Sequence, residues 1–269
     1  MSRAATSVPS IASPTVTRPC SPTSRPSTRG LKVDLIVTRS TAAALAAKAA
    51  TREIPVVFGM VSDPVASGIV PTLARPGGNL TGWTNMLTDT HGKLIEFLRV
   101  LKPKLSHLAL LFDADNPGKA LEVKLLTQTA ARLGLTLRAK GVRSTADVDA
   151  AFAQITRERT DGLIVLVDSM TRGHRQAIID FAAKQRLPAI YQVREFVDGG
   201  GLMSYGMNVR KQFERTAEYM HRIFQGKQPA ELPVEQPTRF ELVINGKTAK
   251  ALGIKIPHEL LLRAEEMIE

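Results

Sequence analysis

The sequence predicts an α/β protein with mainly parallel sheets arranged in two lobes. Three observations carry this. From Leu31 onward, apolar strand-sized runs alternate with helical stretches of about ten to eighteen residues, the pattern of repeated βαβ units. After Lys102-Pro103-Lys104 the strand series starts again at HLALLFD, which puts a passage between lobes there. The chain has 269 residues, 43% of them hydrophobic, enough apolar content for one large domain or two lobes of ordinary size.

The strand candidates in order are VDLIV (33–37), IPVVFGM (54–60), HLALLFD (107–113), LTLRAKGV (135–142), GLIVLVD (162–168), PAIYQ (188–192), GLMSYG (201–206) and RFELVIN (239–245). Between them, 41–50 is an alanine-rich helix, and 90–101 is a helix that buries Leu94, Phe97, Leu98 and Leu101. The stretch 209–224 is a helix with Val209, Phe213, Ala217, Met220 and Phe224 on one face. Ser144 with Asp147 opens another helix as a capping residue with an acidic third position. ARPGGNLTG (74–82) matches neither phosphate-binding glycine spacing and reads as a turn feeding a strand-like LTGWTN; GGG at 199–201 reads as a flexible connection.

Composition excludes several function classes. The net charge of +11 invites a nucleic-acid reading. Four of those charges are arginines of residues 1–30, which contain no acid, and the rest are interleaved with acidic neighbours, as in VRKQFERTAEYMHR (209–222). No nucleic-acid partner is expected. Residues 1–30 also hold seven serines, five threonines and five prolines, which cannot bury enough apolar area to offset ordering, so a disordered tail is expected there. Its apolar runs are too broken for a signal peptide. The longest apolar runs, LIVLV and LALLF, are far below the roughly 20 residues of a membrane-spanning helix. The single cysteine, Cys20, cannot close an intramolecular disulfide.

Catalytic and metal constellations are equally thin. The five histidines lie far apart without HxxxH or HExxH spacing, and no GxSxG is present. No cofactor, metal or catalytic group is expected. What remains is a set of polar residues at strand ends, where open α/β sheets bind ligands. Thr38, Arg39, Ser40 and Thr41 follow the first strand and precede a helix, so hydroxyls, helix amides and one guanidinium can converge on a carboxylate; Ser40 or Thr41 also fits simple helix capping. Asp63 follows the second strand and suits either an amino group or a turn cap. Asn85 ends the LTGWTN segment. In the second lobe Asn116, Asp168 and Tyr191 end strands, with Tyr191 able to stack on a planar ligand.

The stretches VDLIVTRSTAAALAAKAAT, IPVVFGMVSDPVASGIV, LARPGGNLTGWTN, GLMSYGMN and LPVEQPTRFELVINGKTAKALGIKIPHELLLRAEEMIE resemble the ABC-transporter substrate-binding proteins of the type I periplasmic-binding class, in the group that includes tryptophan-binding transport proteins. They cover nearly everything from Leu31 to Glu269. The resemblance implies two Rossmann-like lobes joined by three crossovers, with a cleft that closes on a small molecule such as an amino acid. It also implies ABC permease subunits as partners and a periplasmic or surface-tethered location. The lobes expected are 31–104 plus 207–230 and 105–206 plus 231–269. At the N-terminus the resemblance stops, and the run at 1–30 looks like a misframed or truncated start that leaves the first lobe incomplete. The rival readings are a ligand-sensing module of the same fold and an α/β enzyme.

Overall fold

The computed structural model describes residues 33–85 and 90–269, together with the backbone of a two-residue strand at Ile11–Ala12. The expected tail otherwise lies outside the described residues. The chain divides into two compact units, Met1–Asn85 with Lys211–Gln236, and Met86–Arg210 with Pro237–Glu269.

The first unit is a parallel sheet of β1 (Ile11–Ala12), β2 (Leu35–Thr38), β3 (Val56–Val61) and β4 (Leu80–Thr84), in that spatial order. Composition predicted no element at β1, whose residues align with Leu35 and Ile36. Alternation along the strands sends side chains to two layers. Ile36, Val56, Phe58 and Val61 pack with Ala44 of helix α1 (Thr41–Ala50). Leu35 and Val57 pack with Tyr219 and Ile223 of the long helix Val209–Phe224 and with Leu232.

The second unit is a seven-stranded sheet. In chain order it comprises α2 (His91–Leu101), β5 (His107–Asp113), α3 (Gly118–Arg132), β6 (Thr136–Val142), α4 (Thr145–Arg157), β7 (Gly162–Val165), α5 (Ser169–Gly173), α6 (Arg175–Lys184), β8 (Ala189–Tyr191), α7 (Glu195–Asp198) and β9 (Met203–Gly206). The helix Val209–Phe224, α8, then leads to β10 (Glu241–Asn245), α9 (Gly246–Ala251), α10 (His258–Arg263) and β11 (Glu266–Ile268). The strand order is β11-β10-β9-β8-β7-β5-β6, parallel except where β10 runs against β9.

The unit boundaries differ from those expected. Segment 86–104 goes with the second unit because α2 buries Leu94, Ile95, Phe97 and Leu98 in the cluster that contains Leu108, Leu110, Ile164 and Ile190. The turn at Lys102-Pro103-Lys104 joins neighbours within that unit. Residues 231–236 go with the first unit, since Leu232 and Val234 join its two cores, and 207–210 stay with the second. Two further readings change. In α8 the buried residues are Gln212, Tyr219 and Ile223, whereas Phe213 is 50% exposed, so the helix is rotated from the face its apolar residues predicted. The glycine run at 199–201 is packed: a Cβ on Gly201 would lie 2.5 Å from the Tyr191 ring and 2.8 Å from the Phe196 carbonyl oxygen.

Candidate functional site

Parallel strands bring their carboxyl ends to one edge of a sheet, and each unit has such a rim. In the first unit β2 ends at Thr38, and the chain turns through Arg39 into α1. Ser40 is extended and its Oγ accepts from the Ala43 amide at 3.1 Å, so it is the helix cap. Asp63, after β3, accepts from the Val65 and Ala66 amides at 3.0 and 2.9 Å and caps that turn. The Asn85 amide donates to the Val61 carbonyl at 3.0 Å, which ties the end of β4 to the end of β3.

Four polar atoms at this rim have no hydrogen-bond partner: Thr38 Oγ1, Thr41 Oγ1, Trp83 Nε1 and Asn85 Oδ1. Their residues are between 1% and 6% exposed. More than nine in ten buried polar groups are satisfied in folded proteins, and an unsatisfied one costs about 1–3 kcal/mol. Other buried atoms are unmet as well, among them both ring nitrogens of His91 and the Tyr191 hydroxyl, and the four at this rim form a group at one strand-end edge. Arg39 is exposed, with its guanidinium 4.6 Å above the Phe213 ring centroid and Nη2 donating to Met60 Sδ at 3.8 Å.

The second rim is built differently. Asp168 caps α5: its Oδ1 accepts from the Thr171 amide at 2.8 Å, while Thr171 Oγ1 accepts from the Asp168 amide at 3.1 Å. Its other oxygen accepts from the Asp113 amide at 3.0 Å, so the ends of β5 and β7 are joined. Asn116 Oδ1 accepts from the Gly118 amide at 3.1 Å at the start of α3. Beneath them Lys119 donates to Glu122 at 2.9 Å, both side chains almost fully buried. Gln192, just past β8, donates to Glu122 at 3.1 Å and accepts from the Val167 amide at 2.8 Å. His91 Nε2 lies 3.6 Å from Glu122. Burial, and then the neighbouring Asp168, raise the Asp113 carboxyl above its ordinary value. Burial likewise raises Asp168, with the Lys119 ammonium pulling the other way.

The structure thus brings Asn116 and Asp168 together around Asp113, and sets Tyr191 apart. Tyr191 is 1% exposed and stacks on Phe196 at 4.6 Å between ring centroids, and its hydroxyl is buried without a hydrogen-bond partner. Complete burial raises its hydroxyl pKa. Sequence reasoning missed Trp83, Phe213, Lys119 and Glu122. Trp83 is the only tryptophan in the chain, a usable signal; a Lys and Glu three apart on a helix are too common to mark a buried pair. Among the described residues no three His, Cys, Asp or Glu side chains converge as metal ligands, and no helix is long and apolar enough to cross a membrane.

Residues 28–268 match the family model described as ABC transporter substrate binding protein. A tyrosine-binding protein of Clostridioides difficile is 28% identical over 224 residues, 83% of this chain and 64% of that protein. This chain therefore spans less than two thirds of that relative's length. Two solved structures share a TM-score of 0.81. The conserved domain protein from Vibrio cholerae is 29% identical, covering 87% of this chain and 78% of its own. The ABC domain in complex with L-Trp from Streptococcus pneumonia is 26% identical, covering 89% and 82%.

Proposed function

We propose that this chain, which belongs to the ABC transporter substrate binding protein family, captures a small α-amino acid for an ATP-driven importer and catalyses no reaction. The observation that carries this reading is the set of unsatisfied buried groups at the first unit's rim, because they match a zwitterion by type. Thr41 Oγ1, the amino-terminal turn of α1 and the Arg39 guanidinium are donors suited to a carboxylate. Asn85 Oδ1 is an acceptor suited to an ammonium. Tyrosine and L-Trp, named with the similar proteins, both carry that zwitterion and an aromatic ring. The half-exposed Phe213 offers a ring against which such a side chain packs.

In this reading the second unit supplies Asn116 and Asp168 mainly as frame, since their oxygens already hold backbone amides. The partners are the permease subunits of the importer, and the working location is periplasmic or surface-tethered. Calorimetric titration of the full chain with each of the twenty amino acids tests the proposal. Saturable one-to-one binding of at least one L-amino acid, lost for its amide and N-acetyl forms, is the expected result. Heat-silent titrations throughout, with no thermal stabilisation by any of the twenty, would sink it.

A further inference from the structure

Strands β2, β3 and β4 lie side by side, with Thr38, Phe58 and Gly82 level with one another. The next residues along the three strands are Arg39, Gly59 and Trp83. Alternation turns them to the α8 face, where Leu35, Val37 and Val57 pack with Tyr219. The middle residue of this row has no side chain, so a notch opens between the outer two. A Cβ on Gly59 would lie 3.6 Å from Trp83 Nε1 and 3.9 Å from Thr216 Oγ1 of α8, both ordinary contact distances. The notch is part of a slot of about 30 Å3, bounded by the row, by its neighbours Val37, Thr38 and Met60, and by α8.

The donors at this slot define its guest. Trp83 Nε1 is buried without a partner. Arg39, held over the Phe213 ring and against Met60 Sδ, has no carboxylate partner among the described residues. Thr216 already gives its hydroxyl hydrogen to the Gln212 carbonyl at 2.9 Å. An indole N–H that can only donate, beside a guanidinium without a counter-ion, calls for an anionic acceptor. A water needs roughly 10–15 Å3, so the slot takes about two such atoms, the two oxygens of a carboxylate. Beyond Trp83, the Thr84 amide donates to Glu235 and the Asn85 amide to Val61, turning to opposite sides as along an extended strand. Asn85 therefore follows Trp83 on one face, roughly 7 Å further on. An α-amino acid carries both charges on one carbon, and with a hydrogen bond of about 2.9 Å at each end it bridges a donor and an acceptor so spaced.

Resting on the amino-acid reading above, we infer that Trp83 is a recognition residue: the ligand's α-carboxylate sits over Gly59, between the Trp83 indole N–H and the Arg39 guanidinium, with its ammonium at Asn85 Oδ1. Gly59 is then selected for the room it leaves, since its backbone is not in the left-handed region that would require glycine.

The test is calorimetric titration of the full chain, and of Gly59→Ala, Arg39→Gln and Trp83→Phe, with each of the twenty L-amino acids, alongside thermal unfolding. Every amino acid that binds wild type should weaken by about tenfold or more in each variant, whatever its side chain. Unfolding midpoints should stay near the wild-type value, and Gly59→Ala, which adds one methyl at contact distance, decides the matter if the tryptophan variant fails to fold. Affinity within about threefold of wild type in any variant that folds overturns the inference and leaves the amino-acid reading intact. Losses confined to aspartate and glutamate would put a side-chain carboxylate in the slot and overturn the α-carboxylate assignment. No binding of any amino acid to wild type removes both.

Discussion

The two units end their parallel strands in rims of similar residue type but opposite condition. At the first rim Thr38, Thr41, Trp83 and Asn85 are buried with hydrogen-bonding atoms unmet. At the second, Asp168, Asn116, Gln192, Lys119 and Glu122 are also buried, and each has partners within the unit. Polarity at a strand end therefore does not identify a recognition group. What separates the named groups of the two rims is whether their capacity is already met, although His91 beneath the second rim and the Tyr191 hydroxyl also lack a hydrogen-bond partner. Groups already holding backbone amides keep the frame rigid, whereas groups without a partner gain most from a ligand.

The largest effect should come from breaking the second rim at its base. Lys119→Met leaves Glu122 as a buried carboxylate with its main cation gone, and should destabilise the protein by about 3–5 kcal/mol in urea unfolding. Replacing both, with Lys119→Met and Glu122→Met, should recover part of that, because the buried charges are gone while the Gln192 amide loses its acceptor. If the single and double variants were equally destabilised, the pair would not be the unit of stability proposed.

Next in size is Asp168→Ala, which removes the acceptor for the Thr171 and Asp113 amides and should cost about 2–3 kcal/mol. A variant that unfolds at the wild-type midpoint but binds amino acid more weakly would put Asp168 among the recognition groups and erase the contrast between the rims. Thr41→Val reverses the expectation. Its hydroxyl has no partner within the protein, so the unfolding midpoint should stay or rise slightly while amino-acid affinity drops about tenfold. Calorimetry alongside thermal unfolding reads both; a drop in midpoint with affinity unchanged would contradict it.

The smallest effect is in pH dependence, where the carboxylates at opposite ends of the second sheet have opposite signs. Asp161 is at the amino end. Burial opposes its ionisation, but Lys102, the Ser106 hydroxyl and the amides of His107 and Ser106 outweigh it and hold the carboxyl well below its ordinary value. Its contribution to stability is present above the unfolded value near 3.8 and is lost as pH falls below it. Asp113 and Asp168, at the carboxyl end, are raised, so their linkage favours folding below the unfolded value and weakens it as pH rises through the folded values. Asp161→Asn should flatten the acid limb of a urea-midpoint profile between about pH 5 and 2. The Asp161 side chain is 22% exposed, which keeps the effect modest. An unchanged acid limb would show that these partners do not shift its titration.

The sequence by itself determined the α/β class, most of the strands and the capping chemistry, because these depend on local periodicity and on hydrogen bonds within a few residues. HLALLFD became β5 over His107–Asp113, 41–50 became α1, and Ser144 caps α4 by accepting from the Asp147 amide. Ser40 and Asp63 took the capping roles their positions allowed. Strand β11 escaped because three exposed or half-buried residues, Glu266–Ile268, carry no apolar alternation to read. Only the tertiary structure decided which side of α8 is buried, since its apolar residues spread over more than one face and the sheet selected Tyr219 and Ile223 while leaving Phe213 outside. It also decided that α2 belongs with β5, through a cluster that joins residues far apart in the chain. The same holds for Tyr191 in the core, the Lys119 and Glu122 pair beneath the second rim, and the orphaned Trp83. Whether a polar group is satisfied depends on partners distant in sequence, and a single sequence records which groups are present but not which of them meet.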